Sequence, residues 1–144
     1  MHINLKKHRP DATAPMYATS GASGADVFAS LDHPVIVHPG ETKLIPLGFS
    51  LALPQGFGAF LLPRSGIGAK DGVVLGNLVG LCDSDYRGEY MAAIWLRKEG
   101  QAFTIRPGDR IAQMVIMPTI HAVFEEVTEL DATERGAGGF GSTG

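Results

Sequence analysis

Asp83-Ser84-Asp85-Tyr86-Arg87-Gly88 sets carboxylates, an aromatic ring and a guanidinium between two apolar runs, residues 78–81 and 90–96. Asp, Ser and Gly are also ordinary hairpin residues, so a plain turn is one reading of the segment. Asp83, however, follows Leu81-Cys82 directly and falls at a strand end, not at the turn tip. There apolar neighbours can partly shield a carboxylate, as a general base requires, and Tyr86 can pack flat against a sugar ring. Pro63-Arg64-Ser65-Gly66 follows the apolar Phe60-Leu61-Leu62. Proline ends the strand, glycine permits close backbone approach, and Arg-Ser offers a guanidinium and a hydroxyl, a set suited to phosphate or to a solvated turn. Gln113 interrupts the apolar stretch 111–117 and, by strand alternation, shares a face with Ile111 and Val115. A buried amide without partners costs about 1–3 kcal/mol, so Gln113 either faces solvent or serves a site.

Two further segments are ambiguous. Ser20-Gly21-Ala22-Ser23-Gly24-Ala25-Asp26-Val27 is a small-residue loop leading into a strand. Its Asp26 can cap local N–H groups or orient a metal-bound water. Arg135 to Gly144 is glycine-rich with one arginine and one aromatic, Phe140, and follows an acidic stretch, residues 125–134, without a basic residue. Such a segment cannot pack a core and can simply fray. Alternatively, its backbone N–H groups can wrap phosphate oxygens, Arg135 can add a bidentate contact, and Phe140 can stack on a base.

Other chemistries find no support. His2, His8, His33, His38 and His121 lack metal-ligand spacing, and the single cysteine, Cys82, excludes an intramolecular disulfide or a cysteine zinc cage. Neither a phosphate-binding Walker loop nor a dinucleotide fingerprint is present. A net charge of −3 argues against general nucleic-acid binding, although a few placed arginines can still hold a small anion. The basic start, Met1 to Pro10, has no apolar stretch behind it, and the longest apolar run, Met91 to Leu96, is far too short to span a bilayer. A soluble, cytoplasmic protein is expected, with no membrane or nucleic-acid partner.

The elements that must position these residues are short. Across 144 residues, 19 glycines and 9 prolines punctuate the chain too densely for long helices. β-type runs at 35–37, 42–47, 49–53, 58–62, 73–75, 78–81, 90–96, 103–105, 111–117 and 122–127 alternate with turn signals. Only 65–70 offers a helical turn. This pattern predicts one all-β domain, an antiparallel sandwich or barrel, over 1–130, with a glycine-rich arm over 131–144.

Taken together, these segments closely resemble the deoxyuridine triphosphate nucleotidohydrolases (dUTPases) of the trimeric type. All five of that family's motifs occur in order: 17–26, 63–66, 76–88, 106–113 and 135–144. The resemblance implies a distorted jelly-roll subunit and a homotrimer whose three active sites each draw on all three chains. It also implies hydrolysis of dUTP to dUMP and pyrophosphate with Mg²⁺. In it Asp83 matches the base that activates water, while Asn77 and the backbone of Gly80, Leu81 and Cys82 match the uracil-reading hairpin. Tyr86 matches the residue under the deoxyribose, and Met91 a further substrate-lining position. Arg64, Ser65, Gly66 and Gln113 match phosphate contacts, and Asp26 the acid that holds the Mg²⁺ water shell. Arg135, Phe140 and Gly141 match the closing arm. A triphosphate carries about four negative charges, which Mg²⁺ and arginines must neutralise before a carboxylate-activated water approaches. Cys82 stands where bulkier aliphatics are common in the family, but its backbone can still serve the base.

Overall fold

The computed structural model describes residues 1–139. Eleven strands and one short helix follow in chain order: β1 (Asn4–Lys7), β2 (Ala25–Phe28), β3 (Val35–Val37), β4 (Thr42–Pro46), β5 (Phe49–Ala52), β6 (Phe57–Leu62), α1 (Ser65–Lys70), β7 (Val73–Leu75), β8 (Gly80–Cys82), β9 (Met91–Leu96), β10 (Phe103–Ile105) and β11 (Arg110–Pro118). Every strand pairing is antiparallel. A four-stranded sheet of order β2-β11-β6-β8 and a three-stranded sheet of order β4-β9-β7 are accompanied by the pairs β1-β5 and β10-β3. The result is the expected distorted jelly-roll sandwich.

Alternation along the strands fills the core. Ile45, Leu47, Phe49, Leu61, Leu75, Tyr90, Ile94, Ile105 and Ile111 are all essentially inaccessible to solvent. Turn chemistry sets the register. Gly48 turns β4 into β5 at φ +77°, and a Cβ there would stand 2.5 Å from Ala12 Cβ and from Ser30 Oγ. Only glycine fits that corner.

Three sequence expectations need correction. Residues 122–127 form no strand; Val123 and Phe124 are almost wholly exposed. A β-prone apolar run alone cannot make a strand, and among the described residues this segment pairs with no sheet edge. Residues 78 and 79 are likewise not strand, because Asn77-Leu78 turns the chain, with Leu78 at φ 62° and its N–H donating to the Leu75 carbonyl at 3.0 Å. Finally, Ile111 does not share a face with Gln113. A bulge between Arg110 and Ala112 shifts the register of β11, so Ile111 enters the core while Gln113 and Val115 stay half-buried.

Candidate active site

The candidate residues gather into two clusters on the four-stranded sheet. The first surrounds β8. This is an edge strand, paired on one side only, with Ala59 opposite Cys82 and Leu61 opposite Gly80. Its outer N–H and C=O groups are therefore free to meet a ligand edge. Gly80 lets the strand lie close to β6, since a Cβ there would stand 3.1 Å from Leu61 Cβ. Asn77, Gly80, Leu81, Cys82, Asp83, Tyr86 and Met91 line one cleft of about 260 Å³, with Leu61 and Tyr90 beneath. That volume lies below the roughly 300 Å³ at which whole-ligand pockets begin, so it suits part of a ligand.

Tyr86 donates its hydroxyl proton to the Glu89 carbonyl at 3.0 Å, and its ring is tilted on Tyr90 at 5.8 Å. Gly88 makes room for this: a Cβ there would overlap the Tyr86 hydroxyl. Tyr90 is fully buried, stacks on Phe49 at 5.4 Å, and among the described residues its hydroxyl has no hydrogen-bond partner of good geometry. Burial, with the Cys82 thiol beside it, pushes the Tyr90 phenol well above its ordinary range. Burial likewise pushes the Cys82 thiol up. Asp83 does sit at the end of β8, but it is exposed in the single chain and not partly shielded, because among the described residues nothing packs over the end of this edge strand. Beyond it a wider cleft continues along Ser84, Asp85, Arg87, Gly58, Thr119 and His121.

The second cluster lies where β2, β11 and the end of β6 meet. Asp26 and Gln113 are cross-strand partners, and Gln113 also faces Leu62. Gln113 Nε2 donates to the Pro63 carbonyl at 2.9 Å, and Gly24 leaves space for its side chain, a Cβ there falling 2.8 Å from Oε1. Asp26 accepts from Arg64 Nε at 2.9 Å and from Arg110 Nη1 at 3.2 Å. These pairs hold two guanidiniums side by side beside Ser65 and Gly66, leaving a net positive charge and free donors facing one pocket. Arg110 is a member that sequence reasoning missed. Its signal was its place in the segment 106–113, but its reach to Asp26 spans 84 positions and depends on the bulge.

The clusters are separate. Cys82 lies opposite Ala59, whereas Arg64 follows the far end of β6, so Asp83 and Arg64 stand roughly 15–20 Å apart along the strand. Arg135 approaches neither; its Nε donates to the Gly138 carbonyl at 3.0 Å within its own segment. Phe140 and Gly141 lie outside the described residues. Among the described residues no helix is long and apolar enough to cross a membrane.

A sandwich with a backbone-lined cleft at one sheet edge and a paired-arginine pocket at the other end of the same sheet has the build of a nucleotide-handling β protein. The dUTPase family model matches residues 10–144, and the chain belongs to that family. It is 57% identical over 131 residues to the deoxyuridine 5'-triphosphate nucleotidohydrolase of Hahella chejuensis, covering 90% of this chain and 86% of that protein. With the enzyme of the same name from Azoarcus sp. it shares 53% identity over 143 residues, 99% and 95% of the two chains. Among solved structures it is similar to a variant of the Staphylococcus bacteriophage 80alpha dUTPase with dUpNHpp, at TM-score 0.86 and 24% identity, covering 99% of this chain and 98% of that one. It is also similar to a variant dUTPase from phage phi11 of S. aureus, described with a structural Mg(II) ion, at TM-score 0.82 and 20% identity over 92% and 100%. At such identities these two likenesses speak for the fold.

Proposed function

We propose that this chain hydrolyses dUTP to dUMP and pyrophosphate at sites shared between copies of a homotrimer, so limiting uracil incorporation into DNA and supplying dUMP for thymidylate synthesis. The observation that carries the reading is Asp83, a carboxylate at the end of an edge strand whose free backbone groups line a cleft fit for a nucleoside. Uracil, with a donor between two acceptors, is read by the free N–H and C=O groups of Gly80, Leu81 and Cys82, with Asn77 beside them. A backbone edge in contact with the base leaves no room for a 5-methyl group. Tyr86 lies under the deoxyribose, where a 2′-hydroxyl clashes with its ring, and steric exclusion separates the sugars without added affinity. Met91 completes the wall.

Arg64, Ser65, Gly66 and Gln113 hold the phosphates, with Arg110 added by its pairing to Asp26. Asp83 takes a proton from a water whose oxygen bonds to the α-phosphorus, and the bond from that phosphorus to the bridging oxygen breaks to release pyrophosphate. Exposure of Asp83 in one chain fits a base that is shielded only when a second copy closes the cleft.

Distance supports sharing between copies: the backbone positions of Asp83 and Arg64 are farther apart than a triphosphate, two P–O–P links, is long, which favours a base of one copy acting on a phosphate held by another. Exposed Leu78, Val79 and Leu81 near the cleft, and Ile120, Val123 and Phe124 after β11, supply apolar surface for such contacts. Residues 131–144 form the arm that closes the site, Arg135 on phosphate and Phe140 on the base, with Gly141 among the wrapping glycines. For Mg²⁺, the donor set fits an ion carried mainly by the substrate's phosphates. Asp26 is the one carboxylate in the anion pocket, and its two arginine bonds leave lone pairs for a metal-bound water. The bound ion would neutralise phosphate charge.

The competing chemistry on this fold is deamination of dCTP. Incubation with dUTP and with dCTP, each with Mg²⁺, separates them: pyrophosphate from dUTP and no ammonia from dCTP is expected. Ammonia from dCTP, or binding of dUTP without turnover as in a sensor, would overturn the reading.

A further inference from the structure

The loop that carries Asp83 and Tyr86 hangs from a polar relay outside the cleft. Aside from the aromatic Tyr90, Ser50 is the one buried residue with a polar side chain among the described residues, 5% exposed on the core strand β5. Its hydroxyl donates to the Gly88 carbonyl at 2.8 Å, and His8 Nε2 lies 2.6 Å from the same oxygen. A serine hydroxyl has one proton, which is committed to Gly88, so the imidazole must carry its proton on Nε2 and donate to Ser50. His8 is fixed in turn by its own N–H, which donates to the Gly48 carbonyl at 2.9 Å. The neighbouring Gly48 N–H donates to the Glu89 carboxylate at 3.0 Å. Among the described residues these are the hydrogen bonds that tie residues 83–89 to the rest of the molecule; the others there close within the loop. Gly88, the residue the relay grips, is the one whose missing Cβ makes room for the Tyr86 hydroxyl.

We propose that Ser50 and His8 are positioning residues for sugar discrimination: through the Gly88 carbonyl they hold the Tyr86 ring at the height where it excludes a 2′-hydroxyl. This rests on the reading of Tyr86 as the platform under the deoxyribose. A buried serine confers nothing on core packing that alanine would not, so its presence on β5 needs its two partners as explanation. Losing the relay leaves the fold closed but lets Gly88 and the ring drift, which relaxes the clash with ribose more than it disturbs the chemistry at Asp83.

The test is kcat/KM for dUTP and for UTP, with Mg²⁺, in the wild type and in Ser50→Ala, His8→Ala and His8→Gln. The preference for dUTP over UTP should fall about 5-fold in both alanine variants, the scale of one lost hydrogen bond, mainly through a higher kcat/KM for UTP. Glutamine, which can donate from its amide, should restore most of it. An unchanged preference, including equal losses for both substrates, overturns the proposal. If Ser50→Ala does not fold, His8→Ala, changed at an exposed side chain, decides the matter alone. A wild type that itself shows no preference overturns the underlying reading of Tyr86 instead.

Discussion

Cys82 and Tyr90 form the floor of the cleft, and their burial has consequences for pH. Taking a thiol or phenol out of water favours the neutral form, so both pKa values are raised in the folded chain. For an acid shifted upward, the linked stability is present below the unfolded-state pKa and is lost as pH rises through the folded one. Cys82 should therefore react with iodoacetamide more slowly at mildly alkaline pH than a cysteine peptide, its rate rising only above the ordinary thiol range; a rate equal to the peptide's would contradict the burial. The Tyr90 hydroxyl has no good partner, so Tyr90→Phe should be neutral or stabilising by up to about 1 kcal/mol in chemical denaturation. The same variant should lose the phenolate signal that accompanies alkaline unfolding. At this scale the sequence was informative wherever chemistry follows from residue type: Asp83, Arg64, Asn77 and Gln113 all border a cleft. It was silent on Arg110 and Tyr90, whose places depend on a bulge and on packing between distant strands.

Among the elements, β11 organises the paired-arginine pocket, since it lies between β2 and β6 and presents Gln113 to both. Gly24→Ala should push Gln113 off the Pro63 carbonyl and raise KM for dUTP roughly 5-fold, with the melting temperature little changed; an unaltered KM would remove Gln113 from phosphate binding. The arm offers a second test. Truncation before Arg135 should leave a folded assembly with poor turnover, whereas full activity would make the segment a frayed end. Strands bounded by Gly and Pro could be traced from sequence because those residues set the turns. Gly76-Asn77 announce a turn after β7, but its extension through Leu78 and Val79 escaped, because a leucine occupies the left-handed position, a conformation that costs about 1 kcal/mol. Residues 122–127 misled because Val123, Phe124 and Val127 are β-prone side chains, but a strand also needs a neighbour.

The whole molecule is larger than one chain in this reading. The backbone positions of Asp83 and Arg64 lie roughly 15–20 Å apart, which favours a shared site, and apolar side chains remain exposed around both the cleft and the chain after β11. Light scattering should return a mass near three times 15.2 kDa, and a monomer at working concentrations would remove the shared site. One measurement goes to the centre of the proposal: pyrophosphate release from dUTP with Mg²⁺, compared between the wild type and Asp83→Asn. Loss of the general base should cut turnover by about 100-fold or more while binding of a non-hydrolysable dUTP analogue persists. Turnover close to wild type in Asp83→Asn would contradict hydrolysis by an Asp83-activated water.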